Sequence, residues 1–587
     1  MCGIAGLSGR RPDSVVLGHR GPDGHAWQTV ETPRGPFNLL HTRLAIVDLS
    51  DAGNQPMSGE DDRFTMVFNG EIYNHVELRD YCRSKGHTFA SAMDGEVIVH
   101  LWEMEGAACL RRLNGIFTVA MVDKVTGEVC LATDPLGVKP AFYVDRGEQF
   151  AFASELSALA GLGIELGPLS VPALAKFLSF LWIPAPETPF TDVHALPPGH
   201  LLRWTPGERL RVEAYRVPQP HPEQAERMSA ETALMQLRER VDAAVRRQLL
   251  GDVPISIMAS GGIDSSVIWQ AAGPGVAQAY TIEFASGDAE GVGEDAAAVR
   301  LLQGAIGTPV TFIDGSKVGA SFLPLSGDLF ADPAFDLTRM ISARTRADGR
   351  KVLLSGQGGD EVFGGYRRHM IAPLLGRAYT GAVGHAAVRR LGGGMLGEFG
   401  ARFAQATTRR DPFERYMELC TYSTTAERAK VLGVSEREVD ESVVWARHRR
   451  YWEALPKSLS YLRKAMALDL GVYLPGLGLA YVDRASMEYG VEARVPLLDL
   501  ELLEWSFTLP DELLVRRFAG KQLLKSLARQ VLPSEVVDRP KRGFGVPASN
   551  LDVDDVVGDR GHRQGRYFGF ARQTLDRWMR DKAKDAA

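Results

Sequence analysis

Short apolar runs alternate with turns along the first two hundred positions. "RLAIVDLS", "RFTMVFNGEIYN", "GIFTVAMVD", "EVCLATD", "PAFYVD" and "FAFASE" are dominated by β-branched and aromatic residues and bounded by Gly, Asp and Asn. That is the pattern of strands. Helical periodicity intervenes at about 75–86 and 94–105, and "LPPGHLLRW" (196–204) predicts a late turn and strand. The pattern predicts a strand-rich α/β unit with mostly antiparallel pairing.

The pattern lapses at "VPQPHPEQAERMSAE" (217–231), a polar, proline-containing stretch without periodicity that reads as a linker. "TALMQLRERVDAAVRRQLL" then repeats apolar residues near i, i+3, i+4 and i+7, an amphipathic helix. "VPISIMASGGIDSSVIWQAA" is a buried-strand run, a glycine turn and a helix start, and "AQAYTIEF" and "KVLLSG" are further short strands spaced by helical segments. Strands alternating with helices predict a parallel, doubly wound sheet. From about 370 to 530 the chain reads mostly helical, and the charged last 35 residues read as peripheral. There is no internal repeat. The domains are therefore drawn at 2–205, a linker at 206–230, a second domain at 231–535 and an extension at 536–587.

Composition narrows the classes. Apolar residues are 45% and charged residues 24% of 587, with a net charge of −6. These are ordinary values for a soluble protein, without a global basic field for nucleic acid or an anionic membrane. The basic clusters Arg409-Arg410 and Arg447-His448-Arg449-Arg450 read as solvated faces. Five cysteines, none in CxxC spacing, point to neither a disulfide framework nor a zinc site and fit a reducing cytoplasm. The first residues lack the apolar core of a signal peptide, and no segment approaches the roughly 18–20 uninterrupted apolar residues of a membrane span.

Two glycine turns carry candidate chemistry. "SGGIDSS" (260–266) follows the strand "ISIMA" and opens a helix, so its backbone N–H groups and helix N-terminus suit a phosphate. Ser260, Ser265 and Ser266 add hydroxyl donors. Asp264 beside an anion site implies a divalent cation, since carboxylate plus phosphate oxygens is ordinary Mg²⁺ ligation. The lysine-serine ending of a Walker loop is missing. "LLSGQGGDEVFGGY" (353–366) repeats the arrangement after another apolar strand, and Asp360 could supply a second oxygen. Two such turns belong at the carboxyl edge of a parallel sheet.

With "VDRASMEYGVEARVPLLD" (482–499) and "GKQLLK" (520–525), these stretches resemble the synthetase domain of glutamine-dependent asparagine synthetases, a PP-loop, adenine-nucleotide-alpha-hydrolase-like fold. The resemblance implies ATP-driven activation of a carboxylate as an acyl-adenylate, followed by attack of ammonia. It implies that Ser260, Gly261, Gly262, Asp264 and Ser265 hold pyrophosphate and Mg²⁺, that Ile282, Ser355 and Gly356 lie against the nucleotide, and that Lys521 neutralises developing charge. Gln357 stands where the family often has glutamate; glutamine cannot act as a proton-accepting base.

"MCGIAG", "HRGPDG", "HTRLAIVD", "FNGEIYNH", "DGEVIVHLWE", "LNGIFTVAMVD", "TDPLGVKPAFY" and "PAPETPFTDVHALPPGH" resemble the class II glutamine amidotransferases, with an Ntn-hydrolase-type αββα fold. Both resemblances together cover nearly the whole chain in the expected order. A cysteine exposed by removal of Met1 would combine a thiol with an α-amine able to act as its base, the two titrating at about 8.5 and 7.7–8.0. The resemblance implies that Cys2 forms a thioester with glutamine, Asn69 and Gly70 form the oxyanion hole, Arg43 pairs with the glutamine carboxylate, and Glu71 and Asp94 sit by its ammonium. Taken singly, "NG" would be a hairpin turn and Asp94 a helix N-cap. Cys2 and His19 are only 17 positions apart, fewer than in relatives.

The expected enzyme amidates a carboxylate with nitrogen from L-glutamine, using ATP and Mg²⁺. L-aspartate is the first acceptor; a sugar uronic acid, a peptide-linked acid or a secondary-metabolite acid is the alternative. A homodimer is compatible. A glutaminase-dead cyclising relative would lack Cys2, and a non-catalytic scaffold would have degenerate phosphate loops.

Overall fold

In the computed structural model, which describes residues 2–221, 228–284, 293–317, 323–377, 379, 397–539 and 562–585, antiparallel pairing builds the first half. Its strands are β1 (Gly3–Ser8), β2 (Gly24–Val30), β3 (Phe37–Arg43), β4 (Met57–Ser58), β5 (Phe64–Ile72), β6 (Gly115–Asp123), β7 (Val129–Thr133), β8 (Phe142–Arg146), β9 (Gln149–Ala153), β10 (His194–Ala195), β11 (His200–Trp204) and β12 (Arg211–Ala214). They form two six-stranded sheets, in the orders β10-β8-β9-β1-β3-β2 and β12-β11-β7-β6-β5-β4. The sheets bury Ile4, Leu39, Val67, Ala120, Phe150, Phe152 and Trp204 between them.

Helices α1 (His75–Ser84) and α2 (Glu96–Glu105) cover the outer face of the second sheet with Leu78, Cys82, Val97 and Leu101. Helices α3 (Leu156–Gly161) and α4 (Val171–Phe180) cover the first with Leu159, Leu174 and Phe177. The result is the four-layer αββα arrangement. Because both faces of each sheet are covered, β5 and β6 are buried at every position. β12 falls inside the stretch read as a linker; the second sheet extends through it to Ala214.

The second half begins with α5 (Ala230–Gln248) and carries the strands β13 (Ile255–Met258), β14 (Val276–Glu283), β15 (Val310–Asp314), β16 (Val352–Leu354) and β17 (Glu492–Arg494). All pairings are parallel, in the order β15-β14-β13-β16-β17. The chain builds outward from β13 on one side, then returns to build from β16 on the other. The glycine turns leave the carboxyl ends of these two adjacent central strands, where a doubly wound sheet binds ligands. β17 interrupts a stretch read as helical; a three-residue strand has no room for a visible period.

One expectation is corrected and one is sharpened. The continuous helix Tyr461–Met487 is long and apolar enough to cross a membrane by length and composition, with mean hydropathy 1.4, although charged residues such as Asp469 and Asp483 interrupt its apolar run. It is a core helix: 78% of that apolar window is buried, and Leu468, Leu474, Leu479 and Ala485 are at most 1% exposed. The terminal helix His562–Asp585 is not peripheral. Phe568, Phe570, Ala571, Leu575 and Trp578 join the cluster beneath α4, where Trp578 lies 5.6 Å from the Phe190 ring and donates to Gly327 O at 3.2 Å. A charged surface stripe hid that apolar face from a composition reading.

Trp578→Ala is expected to cost about 3–5 kcal/mol, the usual range for emptying a buried aromatic site. Urea unfolding of the full chain would show it as a lowered midpoint of the first transition; an unchanged midpoint would mean that the helix adds no packing energy.

Candidate functional site

Cys2 stands at the entrance to β1. Its backbone N–H donates to Asn69 Oδ1 at 3.0 Å, and its carbonyl accepts from Arg20 Nε at 3.3 Å. The first contact fixes which way the Asn69 amide points, because only its oxygen can accept. Asn69 Nδ2 is then buried without a hydrogen-bond partner. A buried, unused donor is costly unless something arrives to accept from it. At Gly70, φ is +151° and an added Cβ would stand 1.9 Å from Ile116 O, so only glycine fits. "NG" is therefore mid-strand, within β5 and opposite β6, and not a hairpin turn. Burial pushes the Cys2 thiol up, with Glu71 adding to it and Arg43 opposing. The resting group is a thiol that needs a base.

Arg43 closes β3. Its Nη1 donates to Ser50 O at 2.7 Å and to Asn54 Oδ1 at 2.8 Å, and its Nη2 to Asp48 O. The Asp48 carboxylate accepts from Ser50 N at 3.0 Å and Ala92 N at 2.8 Å, tying this loop to the segment that carries Asp94. Asp94 is fully buried, and its carboxyl is raised by that burial although Ile72 N donates to it at 2.6 Å. It is not the N-cap of α2, a place taken by Gly95. Burial and its neighbour Arg43 drive His41 down to about 3, so a neutral imidazole lies beside this group.

Glu71 makes a contact that the sequence does not announce. Its carboxylate pairs with Arg494 Nη2 from the second half at 3.2 Å. Burial, Glu492 and Asp94 all raise it. Glu492 resists burial because Arg494 and Lys139 hold it ionised, at about 2.

Further buried charges join the halves. Arg20 is wholly enclosed, with Nη1 2.8 Å from Glu155 Oε1 and Nη2 3.0 Å from Asp483 Oδ2. Lys139, equally enclosed, reaches Asp483 Oδ1 at 3.3 Å. Asp483 belongs to the core helix of the second half, so the backbone at Cys2 is two side chains from that domain. None of Arg20, Lys139, Asp483 or Arg494 was singled out from the sequence, although "HRGPDG", "LGVKP", "VDRAS" and "VEARV" contain them.

In the second half the glycine turns interlock. A Cβ on Gly356 would stand 2.8 Å from Ser265 N, and one on Gly359 2.6 Å from Asp264 Cγ. Gly261 has φ +67°. Ser260 and Ser265 hydroxyls lie 3.0 Å apart. Lys521, itself at φ +55°, points Nζ between Asp264 and Asp360, with Asp360 Oδ1 at 2.6 Å. These carboxylates hold the ammonium charged despite burial. A Cβ on Gly365 would meet Asp360 Oδ1 at 1.8 Å and Lys521 Cε at 2.2 Å, which is why "FGGY" needs its second glycine.

Around these groups opens a cleft of about 300 Å³ that includes Ser260, Gly261, Gly262, Asp264, Ser265, Ser355, Gly356, Gln357, Asp360 and Lys521. Ile282 is not on its wall; it packs in the sheet beside Met258, which does line the cleft. Gln357 Nε2 donates to the Tyr481 hydroxyl. Three further lining residues escaped the sequence reading. Lys525 and Arg539 add positive charge, with Arg539 paired to Asp295 at 2.7 Å. Glu361 is fully enclosed, raised to about 7 by burial and then by Asp360, and accepts from Tyr366 OH at 2.7 Å. Asp264 and Asp360 both line the cleft with Lys521 Nζ between them, and their carboxylates are hard oxygen donors of the kind that suit Mg²⁺.

Comparison with known proteins agrees with both halves. A family model described as a glutamine amidotransferase domain matches residues 1–216, and one described as asparagine synthase matches residues 236–584. The chain is 26% identical over 579 residues to asparagine synthetase [glutamine-hydrolyzing] 1 of Bacillus subtilis, spanning 93% of this chain and 87% of that protein. It is 29% identical over 558 residues to a putative asparagine synthetase [glutamine-hydrolyzing] of Mycobacterium tuberculosis, spanning 91% and 83%. Amidase chyE of Penicillium rubens is 26% identical over 581 residues, spanning 91% and 84%.

The raised Glu361 has a definite pH consequence. The folded protein keeps this proton up to about pH 7, whereas the unfolded chain releases it near 4.3. Between those values the folded state binds more protons, so stability falls as pH rises and levels off above 7. Glu361→Gln is expected to remove that slope, on the order of 3 kcal/mol across the window. Urea midpoints at pH 5 and 7.5 would read it; an unaltered difference between the two would reject it.

Proposed function

The chain belongs to the asparagine synthase family, and from that membership we propose that it moves nitrogen from L-glutamine to an acid activated with ATP, the first candidate acid being L-aspartate. The enzyme class is that of the glutamine-hydrolysing asparagine synthetases. The carrying observation is the Asn69 amide, whose oxygen fixes the nitrogen of residue 2 and whose buried N–H remains unused.

In this reading Met1 is removed, and the Cys2 nitrogen becomes an amine held by Asn69 Oδ1. As a neutral base it takes the proton from the neighbouring thiol, whose burial keeps it protonated at rest. The sulfur attacks the glutamine carboxamide. Asn69 Nδ2 and the Gly70 N–H receive the developing oxyanion, ammonia leaves, and water later cleaves the thioester. Arg43 holds the α-carboxylate and Asp94 the α-ammonium. The Glu71–Arg494 pair supports a different role for Glu71, as a link from this pocket to the other half.

In the cleft, Ser260, Gly261, Gly262 and Ser265 hold the phosphates, with Lys521, Lys525 and Arg539 offsetting their charge. Asp264 and Asp360 would hold Mg²⁺, which supplies charge neutralisation at the phosphates. The acid's carboxylate oxygen attacks the α-phosphorus, pyrophosphate departs, and ammonia then displaces AMP from the acyl carbon. Gln357 hydrogen-bonds Tyr481 and cannot serve as a base, so the proton lost by ammonia has another acceptor; Glu361, poised at about 7, suits that task. Tyr366, Tyr473 and Tyr481 line the same cleft and favour a second reading, an acid larger than aspartate.

Cys2→Ala is expected to abolish glutamine-dependent amide formation while leaving ammonia-dependent formation within about twofold; loss of both would contradict two separate sites. ATP–pyrophosphate exchange screened over aspartate, uronic acids and peptide-linked acids should show one acid stimulating exchange at least about tenfold, with Asp264→Ala abolishing it. Exchange independent of every acid, or insensitive to Asp264→Ala, would overturn the cleft assignment.

A further inference from the structure

Away from both sites, four side chains converge on the outer face of the N-terminal half. Glu60 comes from the turn between β4 and β5, His87 from the loop after α1, and His100 and Glu103 from α2, three residues apart on one helical face. One ligand atom from each of the four residues lies within 4.8 Å of all the others. Four of the separations are 2.8 Å (His87–Glu60), 3.6 Å (His87–Glu103), 3.7 Å (His100–Glu60) and 3.5 Å (His100–Glu103). A tetrahedral ion bonded at 2.0–2.1 Å needs ligand atoms about 3.3–3.4 Å apart, so these positions are close to coordination without rearrangement.

A second observation points to a ligand. His100 and Glu103 have side chains only 3% and 8% exposed, no hydrogen bond of normal length reaches either imidazole nitrogen of His100, and Glu103 faces the further carboxylate of Asp61, which with burial raises its own. Burying imidazole nitrogens and carboxylate oxygens this close together without a full hydrogen bond on the imidazole is costly, and an ion between them would satisfy one atom on each residue. The surroundings are those of a metal site. Glu60 commits Oε1 to the Thr88 N–H at 3.0 Å, leaving Oε2 directed at the cluster. Glu96 Oε1 lies 3.6 Å from the far nitrogen of His100, the place of the carboxylate that orients a metal-bound imidazole. Phe89 packs its ring 4.5 Å from that of His100 and closes the apolar side. Glu60 is exposed, which gives an entry path.

We propose that Glu60, His87, His100 and Glu103 form a structural zinc site. Two imidazoles select a transition ion over Mg²⁺ or Ca²⁺, and four protein ligands leave no open position for catalysis. The ion would clamp α2, whose first turn follows Asp94, to the β4–β5 turn and the loop after α1. It would thereby hold the glutamine side of the molecule without touching substrate. The cluster stands apart from the cleft, so the inference does not depend on the acceptor.

The test uses untagged, chelator-treated full-length protein. Titration with ZnCl₂ should show one ion per chain at micromolar or lower Kd and raise the thermal midpoint. Co²⁺ should develop the intense visible absorption of tetrahedral coordination. His87→Gln, a partly exposed substitution, should fold with unchanged far-UV circular dichroism, weaken zinc at least about tenfold and lose the Co²⁺ band. Glu60→Gln, with its other oxygen still able to meet Thr88, should weaken zinc in the same direction. No saturable zinc uptake by the parent protein, or equal uptake by His87→Gln, would overturn the proposal.

Discussion

The pairing of Asp483 with Arg20 and Lys139 is the contact on which the rest of the arrangement depends. Two cations with no exposure at all share one carboxylate across the junction of the halves. Burying charges is expensive, and removing one partner of such a set typically costs about 3–5 kcal/mol because the others are left uncompensated. The energy of the set lies less in net stability than in having one satisfactory geometry. Arg20 spends its remaining Nε–H on the Cys2 carbonyl, so the same geometry that docks the domains also sets the backbone at the nucleophile. The Glu71–Arg494–Glu492 group repeats the logic beside it, joining β5 to β17.

Close approach of backbone is the second constraint. Gly70 admits the carbonyl of β6, and Gly356, Gly359 and Gly365 bring the second glycine turn against the first and against Lys521. Each such contact needs the absence of a Cβ rather than the presence of a group. That explains why glycine is dense in "SGGIDSS" and "SGQGGDEVFGGY" while the reactive side chains are few. It also confines Asp264, Asp360 and Lys521 to one point, where two carboxylates keep a buried amine charged and the amine in turn keeps them together.

Much of the fold was legible because the signals were local. The apolar runs "RFTMVFN" and "GIFTVAMVD" between turn residues, the helical period of 232–250 and the strand-glycine-helix order around 255–272 each arise from neighbouring residues. The antiparallel first half, the parallel second half and the two glycine turns followed from them. Length limited the reading elsewhere: β12 and β17 are too short to show a period, and the face of 562–585 that packs under α4 was masked by its charged opposite face.

The sequence alone determined which chemistries are possible: a cysteine behind Met1, an "NG" that could donate to an oxyanion, two glycine turns each carrying an aspartate, and the resemblance that orders them. Only the tertiary structure decided how the groups are used. It turned Glu71 toward Arg494, moved Ile282 off the cleft wall, raised Glu361 to about 7 and gathered His87 and His100 with two glutamates. The physical reason is that charge, desolvation and ligand geometry depend on distances of a few ångströms between residues that lie far apart in the chain. Asp483 and Arg20 are 463 positions apart, and no local pattern of either segment records that they meet.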